Sequence, residues 1–109
     1  MILKDGADIK GLHVLMRPVL SASESIWITH GRSEGVTVTA GLDGIHSAGS
    51  WHYYGLAVDL RTRYFGQTVK ADVYHDLKAA LPGYDVVMHD THIHVEVGNT
   101  LASKWGLLT

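Results

Sequence analysis

The run HIHVEV at His92–Val97 constrains the fold more than any other part of the chain. His92, His94 and Glu96 alternate with Ile93, Val95 and Val97, and a period of two marks a strand with one face in an apolar core. Extended backwards, the same alternation puts Asp90 with the ionisable set and Thr91 with the other. Such a strand belongs to a sheet covered on one side only. Packing has no use for four ionisable groups on the opposite side, so that face is where chemistry is expected.

A His-x-His pair alone serves as readily as solvated surface as it does as metal ligation. Composition narrows the choice of ligands. The 109 residues include eight histidines and no cysteine, so disulfides and thiolate sites are excluded, and a transition metal would have to be held by imidazole and carboxylate. Nine basic and eleven acidic residues leave a net charge of −2 with no Lys/Arg cluster, which argues against a nucleic-acid partner. A hydrophobic fraction of 46% against 18% charged predicts a folded chain, one domain over residues 1–109. The N-terminal MILKDGADIK carries neither a secretory signal nor a membrane span, so synthesis in the cytoplasm is expected, with release needed to reach an outside substrate. A monomer is expected.

The second stretch that carries chemistry is SWHYYGLAVD, residues 50–59. Residues 56–60 read as a strand in which Ala57 and Asp59 share one face while Val58 and Leu60 take the other. Gly55 allows a tight turn after His52, and the preceding 41–49 segment is a glycine-rich loop. A catalytic zinc ion takes three protein ligands and leaves a position for water, and His52, Asp59 and His94 would supply such a set. Other elements follow from periodicity: a first helix from an Asp8 cap through Met16, a second from Pro18 to the Gly31 cap, and a strand at 36–40. A helix capped by Thr68 follows, with Val69, Val73, Leu77 and Leu81 on one stripe; then come strands at 85–88 and 92–97 and a short apolar tail. The fold class is α+β, a small antiparallel sheet with helices packed on one side. His13, His30 and His75 fall on the predicted helices with no partner nearby in sequence and are read as side chains without a ligand role.

Residues 38–62, VTAGLDGIHSAGSWHYYGLAVDLRT, resemble the Ser-x-His-x-x-Gly-x-Ala-x-Asp signature of the zinc peptidases that cut peptidoglycan stem peptides. These include D-alanyl-D-alanine carboxypeptidases and dipeptidases and phage L-alanyl-D-glutamate endopeptidases. Ser50, His52, Gly55, Ala57 and Asp59 fill every position, and HIHVEV resembles the second element, whose later histidine is the third ligand. The hedgehog signalling domains share that fold, and Asp43, Gly44, His46 and Ser47 precede the signature as they do there.

The resemblance implies one zinc ion on His52, Asp59 and His94, with His46 and His92 beside it as oxyanion-binding groups. The implied activity is hydrolysis of stem or cross-link peptides by a metal-activated water, as in an endolysin or a bacterial cell-wall hydrolase. Family peptidases place the catalytic acid three residues before the last ligand, where this chain has Thr91, and hedgehog domains place a Glu six before, where it has Met88. Asp90 is the candidate base, with Glu96 second. Ser50, Trp51, Tyr53, Tyr54 and Glu96 are expected to contact substrate. Many carboxypeptidase members carry a substrate-gripping arginine upstream in a Ser-Gly-Tyr-Arg-like segment; TAGLDGIHS contains none. That favours an endopeptidase and leaves Arg61, Arg63 and Arg32 as substitutes. The alternative is a hedgehog-like module that keeps zinc for structure and binds without turnover.

Overall fold

The alternating run is a strand, His92–Val97, and it lies between Ala57–Arg61 and Tyr84–Met88, antiparallel to both. The computed structural model describes residues 1–41 and 55–107. In chain order the elements are β1 Ile2–Leu3, α1 Arg17–Thr29, β2 Thr37–Ala40, β3 Ala57–Arg61, α2 Gln67–Ala80, β4 Tyr84–Met88, β5 His92–Val97 and α3 Asn99–Lys104. The sheet order is β1-β2-β3-β5-β4.

The fold is α+β as expected, but the sheet is mixed rather than wholly antiparallel. β1 runs parallel to β2, with the Ile2 and Lys4 N–H groups donating to the Val36 and Val38 carbonyls at 2.8 and 3.0 Å. A parallel neighbour needs a long crossover, and the segment containing α1 provides it. Two exposed residues carry no alternation, so nothing local announced this strand.

Val38, Val58, Leu60, Val86, Ile93, Val95 and Val97 form the apolar side of the sheet, and Val19 and Trp27 of α1 and Val73 and Leu77 of α2 join them in one core. Burying each such side chain contributes roughly 1.5–3 kcal/mol. The intervening positions, Asp59, Arg61, His92, His94 and Glu96, therefore lie on the face turned away from the helices. Trp27 is fully buried, and its indole N–H donates to the Arg61 carbonyl at 3.0 Å, fixing α1 to the back of β3.

The expected first helix does not form. Only Val14–Met16 make a 3-10 turn. Asp8 Oδ1 accepts the Lys10 N–H at 2.9 Å, and Gly11 takes φ +77°, outside the helical region. A short side chain bonding its own backbone competes with a helix, and the glycine removes the rest of the drive. The second helix begins at Arg17 with Pro18 in its first turn, and ends where Gly31 and Arg32 donate to the Ile28 and Trp27 carbonyls. This is the Schellman arrangement that satisfies the last carbonyls of a helix. α2 starts behind Gly66, two residues ahead of the cap expected at Thr68. At the entrance to β3, Gly55 has φ +73°, its carbonyl accepts the His13 N–H at 2.9 Å, and a Cβ there would lie 2.9 Å from the Gly11 carbonyl. Glycine is required on both counts.

Candidate metal centre

The register of β3 on β5 sets Asp59 opposite His94, Arg61 opposite His92 and Ala57 opposite Glu96. Side chains at directly opposed positions share a face and stand close enough to bond. Asp59 Oδ1 lies 2.8 Å from His94 Nδ1, and Glu96 Oε1 lies 2.7 Å from His94 Nε2. The imidazole is thus held between two carboxylates. His92 Nε2 stands 3.9 Å from Asp59 Oδ2. Asp59 and His94 are 19% and 18% exposed, half-sheltered but open on one side.

Acceptors at both ring nitrogens call for an N–H on each, which is the imidazolium form. The Asp59 hydrogen bond accordingly raises the His94 pKa, burial opposes it, and Glu96 adds to the rise. A raised folded-state value means that protonated His94 stabilises the fold below its ordinary value of about 6.5, and that this contribution is lost as pH climbs through the raised value. Metal-free protein is therefore expected to lose stability to urea on going from pH 6 to pH 8.5. A zinc ion held by His94 would reverse the trend, because metal and proton would compete for the ring. A metal-free urea midpoint that rises over that interval would contradict the assignment.

The donor set suits zinc. Two ligands held about 2.0–2.1 Å from a tetrahedral ion stand about 3.3 Å apart. Asp59 and His94 need to open by only about half an ångström from 2.8 Å to admit one. The nitrogen of a ligating histidine that faces away from the metal commonly bonds a carboxylate, which sets the tautomer and orientation. Glu96, expected from the sequence beside substrate, occupies that position on His94. Glu96→Gln is expected to weaken zinc binding roughly 10–100-fold while leaving the fold intact, measured by chelator competition.

Among the described residues, no group of three His, Cys, Asp or Glu side chains is placed to hold a metal ion. Two of the three expected ligands, Asp59 and His94, are brought together; the third, His52, lies outside the described residues, as do His46, Ser50, Trp51, Tyr53 and Tyr54. Asp90 does not share the polar strand face. His89 N–H donates to the His92 carbonyl at 2.9 Å, which closes the hairpin and leaves Asp90 and Thr91 at its tip. There Asp90 is exposed, and its carbonyl accepts Lys70 Nζ at 2.8 Å.

The polar face continues into a groove lined by Lys4, Thr39, Asp59, Arg61, Arg63 and His92. Lys4 and Thr39 had no motif to announce them. His89 also belongs to this neighbourhood, its ring stacked on His92 at 4.7 Å and 24°. Arg32 lies elsewhere, its guanidinium 3.9 Å from the Tyr64 ring centre. His13 and His30 have structural partners: His13 Nδ1 accepts the Leu15 N–H, and His30 bonds Asp76 across α1 and α2.

Compared with known proteins, the chain matches no family model, no curated sequence and no solved structure. Among the described residues, no helix is long and apolar enough to cross a membrane.

Proposed function

We propose that this protein is a zinc peptidase with the hedgehog-type fold, hydrolysing stem or cross-link peptides of peptidoglycan. The observation that carries the reading is the cross-strand pair of Asp59 and His94, two residues singled out by separate sequence elements and found 2.8 Å apart. Supporting it is the carboxylate of Glu96 behind the imidazole.

In this reading Asp59, His94 and His52 hold the ion. Bound there, zinc would polarise the scissile carbonyl and acidify a water molecule. The chain's own groups do the rest. Glu96 keeps the His94 ring in orientation. His92, 3.9 Å from Asp59, donates from Nε2 to the carbonyl oxygen as negative charge develops on it, with His46 as a second donor. Asp90, at the hairpin tip, is the residue assigned to take a proton from water and return it to the leaving amine. Ser50, Trp51, Tyr53 and Tyr54 border the substrate.

Incubation of the zinc-loaded protein with muropeptides, followed by mass spectrometry, tests the reading. Fragments from one defined peptide bond are expected. A sharp loss in Asp90→Asn would keep Asp90 as the base, and undiminished cutting would remove it from that role. Stoichiometric zinc with no cut in any wall fragment would reject the peptidase and leave a zinc-containing binding module.

A further inference from the structure

We infer that the outer edge of β4 is a pairing surface for a second copy of this chain, joining two sheets into one across a two-fold axis at Val87. β4 ends the sheet, and its bonding pattern shows what it leaves open. The Gly98 N–H donates to the Gly83 carbonyl and the His89 N–H to the His92 carbonyl, both at 2.9 Å, so the odd-numbered residues of β4 bond to β5. The N–H and C=O groups of Val86 and Met88 therefore point outward, and among the described residues none pairs with them. An open edge is a template for another strand, and folded proteins blunt it with short strands, Lys, Pro or a bulge. The opposite edge obeys, since β1 has only two residues. β4 has five, YDVVM, in unbroken register with β5, without Pro or Lys, and Val87 and Met88 are 45% and 39% exposed.

The occupant follows from the register that this edge can satisfy with itself. Antiparallel copies related by a two-fold at Val87 set Val86 opposite the partner's Met88 and Met88 opposite the partner's Val86, and these outward-facing groups exchange backbone hydrogen bonds in both pairs. Val87 then meets the partner's Val87, and Asp85 meets the partner's His89, in the closer, non-hydrogen-bonded pairs with Cα atoms about 4.5 Å apart. His89 shares the open face with Asp85 and Val87, as its stacking on the His92 ring shows. Within its own chain Asp85 stands opposite Glu96, a like charge, and has no ion pair among the described residues. Lys78 borders the same hollow, but its ammonium stands over the Tyr74 ring. An imidazole N–H from the partner gives Asp85 the donor that its own sheet withholds. A two-fold at Val86 would instead set Asp85 against Val87 and would call on the Tyr84 N–H, which already donates to the Leu81 carbonyl. Because Val87 opposes His94 on β5, the two copies of the Asp59 and His94 pair fall in one row on the same face of the joined sheet. Three strand spacings, about 14 Å, separate the two His94 positions. The pairing does not depend on the peptidase reading.

Sedimentation velocity on the full chain from about 10 μM to about 1 mM is expected to show a reversible dimer, weak because one strand edge buries little surface. Over the same range, amide exchange at Val86 and Met88 should slow roughly tenfold, while Asp85 and Val87, already bonded to β5, change little. Val87→Lys sets like charges on the axis, and Met88→Pro removes an N–H that β5 does not use; each should raise the dissociation constant roughly tenfold or more. The chain has no cysteine, so Val87→Cys reports the axis directly. The Cα separation there suits a disulfide, and diamide should link this variant roughly tenfold faster than Ile28→Cys, a similarly exposed site on α1. A monomer at every concentration, the state expected from the sequence, would overturn the inference. So would a dimer that keeps its affinity in both Val87→Lys and Met88→Pro, or a Val87→Cys variant that links no faster than the control. A monomeric chain in which an added muropeptide protects the Val86 and Met88 amides would give the edge to a peptide strand and reject the second copy. If either variant fails to fold, amide exchange at Val86 and Met88 in the parent chain decides.

Discussion

Asp59→Asn and His94→Ala are each expected to lose stoichiometric zinc and to lower kcat/KM on muropeptides by roughly a thousandfold or more, beyond the 10–100-fold that follows from removing a supporting partner. The two residues oppose each other across β3 and β5, and each supplies one donor atom to the same point. Asparagine keeps the shape of Asp59 and removes its charge, which isolates electrostatics from packing. Alanine at His94 leaves Glu96 with no ring to hold. Both sites are on the open face of the sheet, so unfolding free energies of the metal-free variants, from urea titrations, should stay within about 1 kcal/mol of the parent once the lost ion pairs are counted. Metal content by elemental analysis and activity measured on the same samples decide the matter. Either variant retaining one tight zinc and full turnover would end the assignment of the centre.

Trp27→Ala is expected to produce the largest loss of stability, about 3–5 kcal/mol for the removed volume. The indole is fully buried, meets Phe65 edge-on at 5.8 Å, and donates its N–H to the Arg61 carbonyl. Without it that carbonyl is left without its donor in a half-buried strand, at a further cost of about 1–3 kcal/mol. Small domains are stable by about 5–15 kcal/mol in total, so much of the variant could be unfolded at 37 °C. Trp27→Phe retains most of the volume and loses only the bond, and should cost about 1–2 kcal/mol. Denaturant midpoints of the two variants separate the packing contribution from the hydrogen bond. A cost below about 1 kcal/mol for the alanine variant would mean that α1 is not seated against β3 as described.

The two variants also mark what was legible beforehand. Trp27 sits on a helical stripe with Val19 and Ser23, so its burial could be read from spacing, but its bond to the Arg61 carbonyl could not. The same division runs through the site. Alternation assigned His92, His94 and Glu96 to one side of a strand, and they are there. It failed at Asp90 because the period holds only while the chain is extended, and the hairpin turns at His89. The helix expected from Asp8 had the right apolar spacing but lost to a local side-chain bond and to Gly11, a competition that a periodic count does not weigh.

Sequence by itself determined the strands other than β1, their faces and the residue types available for ligation, because side-chain direction in a strand follows from local backbone geometry. Only the tertiary structure decided which of those faces meet. Asp59 and His94 lie 35 residues apart, and their opposition depends on the register of one strand on another. Lys4, across the groove from Arg61, follows from the same kind of pairing, of β1 on β2. Backbone hydrogen bonds are alike at every residue, so register and strand order come from the combined fit of remote segments, and no short run of sequence records them.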